Sequence, residues 1–353
     1  MFQGWESPLA LTCLGLCSHL LPVQPFPPVW PPPPFQQRWP WIGPDLQTIR
    51  DTVHPDRLPV DRGQPWTVAI PGGGRLLLLE DQPGQGRPRA WVLLVHGLGG
   101  NSSRPGVRRL ALALLAEGFG VWRLNLRGAG AGRGLATGTY AAACNSDLLP
   151  VLAAARQRAG GLPLLGAGLS LGGTVLLNGL LERPDGLDAL ACVSSPLDLT
   201  ACSAQIDAPR NRLYQRVLLG GLIRQTLADQ QALPSGDALR TIRSIRQFDT
   251  VVTAPRWDYP TVEHYYRQAS PLPGLSGGTP LPPILLLHAR DDPWVPVAPV
   301  LRLQQQAPAG LEAVVPSHGG HNGFHAAAPR SSSTGGASWA DRWAVGWLAQ
   351  RCG

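Results

Sequence analysis

The chain has 353 residues, is 44% hydrophobic and carries a formal net charge of +7. That length and apolar content build a sizeable core, which excludes a disordered chain and suits one large α/β domain carrying an insertion. Every basic residue is an Arg, and beside 42 Gly and 37 Pro the excess reads as compositional bias; no run of Arg is interleaved with aromatics, so nucleic acid is not an expected partner.

The six Cys (Cys13, Cys17, Cys144, Cys192, Cys202, Cys352) are scattered without a C-x-x-C pair. That speaks against a disulfide framework or a zinc site and for a reducing, cytoplasmic setting. An apolar stretch over residues 8–23 has no Lys or Arg before it, contains Ser18 and His19 and is cut by prolines. Neither a signal peptide nor a membrane span is expected there, while an interfacial segment stays open. Residues 22–34 (PVQPFPPVWPPPP) favour polyproline II, so residues 1–38 are expected to be a Pro-rich lead and 39–353 the folded domain. Residues 39–50 (WPWIGPDLQTIR) mix aromatics with a short helix expected on the domain surface. Residues 66–70 and 75–79 flank Pro71-Gly72-Gly73-Gly74 as a hairpin.

The pattern then alternates. Residues 91–95 read as a buried strand, 104–117 as a helix ending at Gly118, 120–126 as a strand, and 146–158 as a helix capped by Ser146 or Asn145. Residues 162–165 and 190–194 are further strands. Residues 197–271 break the rhythm, being helical in texture and rich in Arg over acids, and are expected to form a cap inserted over the sheet. The alternation resumes with a strand at 284–288, a helix at 297–306, a strand at 311–315 and a closing helix at 339–348. Strands alternating with helices imply an α/β fold with a doubly wound, mostly parallel sheet.

The strand at 162–165 runs into Gly168-Leu169-Ser170-Leu171-Gly172, and a helix-compatible stretch leaves it. This is the layout of a nucleophile elbow, in which residues two before and two after the Ser must be small. A Ser hydroxyl needs a base to take its proton and a third group to orient that base. In a doubly wound sheet these come from loops at the carboxyl ends of the strands. After the strand at 284–288 comes His288-Ala289-Arg290-Asp291-Asp292-Pro293-Trp294-Val295-Pro296. Asp292 is the expected carboxylate, since Asp-x-x-Val-Pro is the usual arrangement there. Asp291 then points away or caps the loop, and Asp198 is a rival acid.

After the strand at 311–315 comes Ser317-His318-Gly319-Gly320-His321-Asn322-Gly323-Phe324-His325, where glycines leave the His321 imidazole free to swing toward Ser170. Three histidines so close together raise the question of a metal, but Gly319-Gly320 opposes the helix that would align them as ligands. No metal and no cofactor are expected, and His318 and His325 read as structural. The loop Val95-His96-Gly97-Leu98-Gly99-Gly100 is the place for an oxyanion hole, with the Leu98 and Leu171 amides as donors. The order Ser170, Asp292, His321 is the chain order of an α/β-hydrolase.

A narrower resemblance rests on LQTI (residues 46–49), HGLGG (96–100), NLRGAG (125–130), GLSLGG (168–173), SSPLDL (194–199), YQRVLL (214–219), RQFDTVVTA (246–254), HYYRQAS (264–270), HARDDPWVP (288–296) and HGGHNGF (318–324). In these pieces the chain resembles the YheT-like branch of the α/β-hydrolases, from about residue 39 to the C-terminus. The resemblance implies an α/β-hydrolase fold with a helical cap and a charge relay falling on Ser170, Asp292 and His321. Two positions depart from the family pattern: Asp45, where the family usually has His, and Asp258, where it usually has Gly or Asn.

The expected activity is that of a serine hydrolase cleaving carboxylic esters, acylglycerols or short- to medium-chain acyl esters, through an acyl-enzyme. Alternatives are an acyltransferase or thioesterase using the same residues, or a non-catalytic scaffold. The expected partner is a small-molecule or lipid ester. Peripheral contact with a membrane surface stays open for the Arg-rich cap, and no expectation attaches to the oligomeric state.

Overall fold

The structure, a computed structural model, describes residues 31–229, 236–326 and 337–352. The apolar stretch at 8–23, most of the proline-rich run, and Cys13 and Cys17 lie outside the described residues.

Among the described residues, eight strands form one sheet: β1 (Gln64–Ile70), β2 (Gly74–Asp81), β3 (Trp91–Val95), β4 (Gly120–Asn125), β5 (Leu164–Leu169), β6 (Ala189–Val193), β7 (Ile284–Leu287) and β8 (Leu311–Val314). Their order is β1-β2-β4-β3-β5-β6-β7-β8. β2 pairs antiparallel with β1 and with β4, and all the other pairings are parallel. The hairpin β1–β2 therefore sits at one edge of a parallel core. β3, β6 and β7 are apolar runs buried along their whole length, as strands covered on both faces must be; β4 is equally buried but carries Arg123, paired with Asp61 and Asp81, and Asn125.

The helices are α1 (Pro44–Val53), α2 (Pro105–Ala116), α3 (Asn145–Ala159), α4 (Leu171–Glu182), α5 (Leu199–Ile206), α6 (Arg212–Leu227), α7 (Gly236–Thr241), α8 (Ile245–Phe248), α9 (Ala254–Arg256), α10 (Val262–Gln268), α11 (Leu272–Ser276), α12 (Ala298–Gln306) and α13 (Trp339–Ala349). Leu148, Val151 and Leu152 of α3 and Val175, Leu176 and Leu180 of α4 fill the core on one face of the sheet. Leu110 and Leu114 of α2 and Trp343, Ala344 and Trp347 of α13 fill the other. Between β6 and β7 the described chain carries helices joined by short loops and no strand, with a π-helical turn at Asp249–Thr253.

One local expectation is corrected and another gains a buried anchor. The helix expected to be capped by Ser146 or Asn145 begins one residue earlier, with Cys144 at the cap position and no side-chain bond to the helix end. Asn145 Nδ2 instead donates to Asn178 O at 3.1 Å and Glu182 Oε2 at 2.6 Å, joining α3 to α4. Residues 39–50 lie largely at the surface as expected, but their helix turns Gln47 inward, where it is completely buried. Gln47 Nε2 donates to Trp41 O at 2.6 Å and His325 O at 3.1 Å, while its Oε1 accepts from His325 N at 2.7 Å. That helix is a brace for the loop after β8.

At Asp258 the backbone is left-handed, φ 58°. Gly and Asn tolerate that region best, which accounts physically for their being usual at this position. Asp45 accepts from Arg210 Nη2 at 3.1 Å and Tyr214 Oη at 2.9 Å, tying α1 to the start of the inserted helices.

Candidate active site

β3 and β5 lie side by side at the middle of the sheet, where the strand order turns from leftward to rightward succession. Crevices form at the carboxyl ends of strands flanking such a point. Ser170 follows β5 directly, with φ 52° and ψ −126°, a conformation few non-glycine residues hold. Its amide donates to Val193 O at 2.8 Å, and its carbonyl accepts from Gly173 N at 3.0 Å. The turn is also crowded. A Cβ on Gly172 would lie 2.3 Å from Val95 O, so α4 starts as close to β3 as it does only because that residue has no side chain.

The three side chains singled out from the sequence meet here. Ser170 Oγ lies 2.9 Å from His321 Nε2, and His321 Nδ1 lies 2.8 Å from Asp292 Oδ2. The carboxylate can only accept, so the neutral ring carries its proton on Nδ1 and leaves Nε2 to accept from the Ser170 hydroxyl. Asp292 Oδ1 accepts from Trp294 N at 2.8 Å and Val295 N at 2.9 Å. Burial by itself pushes the Asp292 carboxyl up. The His321 charge and hydrogen bond, the nearby His288 and the Val295 amide outweigh it and leave the group below its ordinary value. The Trp294 ring lies over the imidazole with centroids 4.6 Å apart.

His321 is not free to swing. Its amide donates to Thr48 Oγ1 at 2.9 Å. Gly320 has φ +59°, and a Cβ there would lie 2.4 Å from Pro44 O. The glycines of this loop let it press against α1, and the pressed loop fixes the ring. Asp291, beside the carboxylate that faces His321, is engaged elsewhere: its Oδ1 accepts from Gly320 N at 2.9 Å, and Oδ2 lies 3.2 Å from His318 Nδ1. Asp198 caps α5, accepting from Ala201 N at 3.0 Å. His325 is buried 3.4 Å from Asp51, and burial pushes its pKa down to about 4. Among the described residues, no group of three or more His, Cys, Asp or Glu is placed to hold a metal ion.

The loop after β3 runs close beside the serine: a Cβ on Gly97 would lie 3.0 Å from Ser170 Cβ. His96 holds that loop to β4: its Nδ1 donates to Gly97 O at 2.8 Å and its Nε2 accepts from Leu126 N at 3.2 Å. Leu98 and Leu171 both line a cavity of about 190 Å³ that also contains Ser170 and His321. Its walls include Leu199, Ile206, Leu218, Leu222, Ile245 and Phe248 from the helices between β6 and β7. Sequence reasoning passed over two groups of residues here. Gln47 and Thr48 belong to the LQTI piece and hold the His321 loop, and Asp249 and Ser203 are among the residues lining the cavity. Asp249 lies in RQFDTVVTA among Arg, Gln and Thr, where residue type alone does not set it apart.

A family model described as serine aminopeptidase, S33, matches residues 86–325. YheT of Escherichia coli strain K12, an esterase by name, is 31% identical over 255 residues, covering 70% of this chain and 74% of its own. The human phospholipase ABHD3 is 30% identical over 245 residues, covering 67% of this chain and 59% of its own. The crystal structure of an esterase domain from Rhodothermus marinus superposes with a TM-score of 0.53 at 19% identity, over 83% of this chain and all of that one. At that identity the likeness speaks for the fold.

Proposed function

The chain belongs to this family of α/β-hydrolases, and from that premise we propose that it cleaves carboxylic esters with Ser170 as nucleophile, His321 as base and Asp292 as the group that orients and charges the base. The observation that carries the reading is the unbroken hydrogen-bonded line from Ser170 Oγ through His321 to Asp292, opening on an apolar cavity.

Ser170 Oγ attacks the carbonyl carbon as its proton passes to His321 Nε2. The imidazolium is stabilised by the Asp292 carboxylate at Nδ1, and the oxyanion of the tetrahedral intermediate is received by the Leu98 and Leu171 amides. His321 then gives the proton to the departing alkoxide, leaving an ester on Ser170. Water enters, loses a proton to His321 and attacks that ester, and the collapse frees the acid and restores the serine. The apolar walls suit an acyl chain, so the substrate class is a lipid or medium-chain ester. The helices inserted at 197–271 act as its cap. An alcohol in place of water would give acyl transfer by the same steps, and product analysis with competing acceptors separates the two.

Ser170→Ala tests the reading on p-nitrophenyl esters of graded acyl length. Loss of the nucleophile is expected to lower kcat by roughly four to six decades. Turnover that survives the substitution refutes it.

A further inference from the structure

The Leu98 amide, one of the two donors assigned above to the oxyanion, belongs to the peptide unit that joins it to Gly97. Such a unit is planar and trans, so its C=O and its N–H point in opposite directions. Whatever fixes the Gly97 carbonyl therefore aims the Leu98 N–H. Gly97 O accepts from His96 Nδ1 at 2.8 Å, from Gly100 N at 3.0 Å and from Tyr140 Oη at 3.4 Å. Tyr140 Oη in turn accepts from Gly99 N at 2.7 Å. The two peptide units that meet at Leu98 are thus both tied to one phenolic oxygen. His96 and Gly100 belong to the loop itself, whereas Tyr140 comes from the segment ahead of α3. It is buried at the cavity wall, edge-on to the His96 ring with centroids 5.6 Å apart. Burial pushes its phenol well up, so at neutral pH the hydroxyl is intact and both donates and accepts.

The segment that presents Tyr140, residues 137–142, is neither helix nor strand. Side-chain bonds to its backbone hold it. From the body of the domain, Arg127 Nη1 donates to Thr137 O at 3.1 Å and Asn178 Nδ2 to Ala142 O at 2.9 Å. From the inserted helices, Arg256 Nη2 donates to Thr137 O at 2.7 Å and Trp257 Nε1 to Thr139 O at 3.0 Å, while Tyr265 Oη accepts from Ala142 N at 2.9 Å. Trp257 grips the residue next to Tyr140. The loop beside the nucleophile is in this way tied, through Tyr140, to the helices that wall the cavity.

We propose that Tyr140 is a positioning residue for ester cleavage: its hydroxyl sets the direction of the Leu98 N–H, and Trp257 keeps it in place from the inserted helices. The inference rests on the ester-cleaving reading above. Gly97, Gly99 and Gly100 leave the loop with a freer backbone than other residues would give, and Gly99 stands at φ +65°. Backbone donors catalyse to the extent that they are aimed beforehand at the place where charge develops. Without the hydroxyl the Gly97–Leu98 unit can tip, and the oxyanion loses more from that than the uncharged carbonyl of the bound ester does. The loss then falls on kcat and spares KM.

Tyr140→Phe keeps the ring and removes the hydroxyl. On p-nitrophenyl butyrate its kcat is expected to fall about 10- to 100-fold, somewhat less than for loss of a whole donor, with KM changed by less than about threefold. A pair of ketones isolates the oxyanion. In 1,1,1-trifluorooctan-2-one the carbonyl carbon takes a bond from Ser170 Oγ, the serine proton goes to His321 and the carbonyl π pair goes to oxygen, giving a hemiketal oxyanion; octan-2-one binds without this addition. Tyr140→Phe should weaken the trifluoroketone by the same factor as kcat and leave octan-2-one nearly unchanged. Trp257→Phe, which loses the bond to Thr139 O, should show the same split with a smaller factor, and it decides the matter if Tyr140→Phe does not fold. Wild-type kcat in these variants, or a raised KM with both ketones weakened alike as a merely structural role would give, overturns the proposal while leaving ester cleavage by wild type intact. A wild type without Ser170-dependent turnover overturns the ester reading, and this inference with it.

Discussion

Replacing Gln47 with Leu removes three hydrogen bonds of 2.6, 3.1 and 2.7 Å from a completely buried site without changing its bulk by much. The His325 amide is left without its acceptor, at about 1–3 kcal/mol, and the two lost bonds to carbonyls add about 1 kcal/mol each. Leu returns part of this through its apolar surface, roughly 1 kcal/mol, so the net loss should be about 2–4 kcal/mol. For a chain of this size that is a fall in Tm of roughly 3–6 °C. Activity should suffer as well, because the loop that Gln47 grips carries His321, and a catalytic group displaced by about 1 Å costs on the order of 100-fold. Calorimetric melting together with kcat/KM on a p-nitrophenyl ester reads both effects. Thr48→Val, which removes the bond from the His321 amide and the bond that the Thr48 hydroxyl donates to Pro44 O within the same helix, should do less to Tm while still lowering kcat. A Gln47→Leu protein that melts and turns over as wild type does would refute the bracing role of α1.

Asp292→Asn should keep the bonds from the Trp294 and Val295 amides on its oxygen and turn its NH2 toward His321, forcing the proton onto Nε2 and leaving Ser170 without a base. The expected fall in kcat is on the order of 10⁴, with Asp291→Asn far milder; equal effects in the two variants contradict the assignment of Asp292. Stability should fall on acidification. Burial pushes His96 and His325 down to about 4, so the unfolded chain takes up protons first as pH drops below about 6.5, and stability is lost progressively between there and about 4. Between pH 7 and 5 the two groups together should cost roughly 2–4 kcal/mol, measurable as a shift in urea midpoint; equal midpoints at the two pH values would contradict their being buried and neutral.

The sheet was legible because its strands are continuous apolar runs such as WVLLV at β3, and runs of that kind between helical periodicities have few other readings. Ser170 stood out because its turn tolerates only small neighbours, a constraint written within five residues. Its link to Asp292 and His321 was read from chain order and strand-end context, and in the structure two hydrogen bonds join the three.

What escaped is long-range or polar. The partners of Gln47 lie up to 278 positions away, and no local pattern distinguishes a buried glutamine from an exposed one on a short helix. The glycines beside His321 were legible as freedom but serve close packing, since the atom that a Cβ on Gly320 would meet belongs to α1. Asn145, a favoured capping type, is drawn away by Asn178 and Glu182 of a neighbouring helix. Asp249 sat inside a helical texture in which a π-helical turn leaves no periodic trace.

The central claim is that Ser170 becomes covalently acylated. Intact mass and peptide mapping after exposure to a fluorophosphonate probe, and to an ester chosen for slow deacylation, measure this directly. The account predicts one adduct per chain, on the peptide that contains Ser170, absent from Ser170→Ala and lost with time from the acylated wild type. An adduct on another residue, or steady ester turnover with no modified serine at any time, would contradict it.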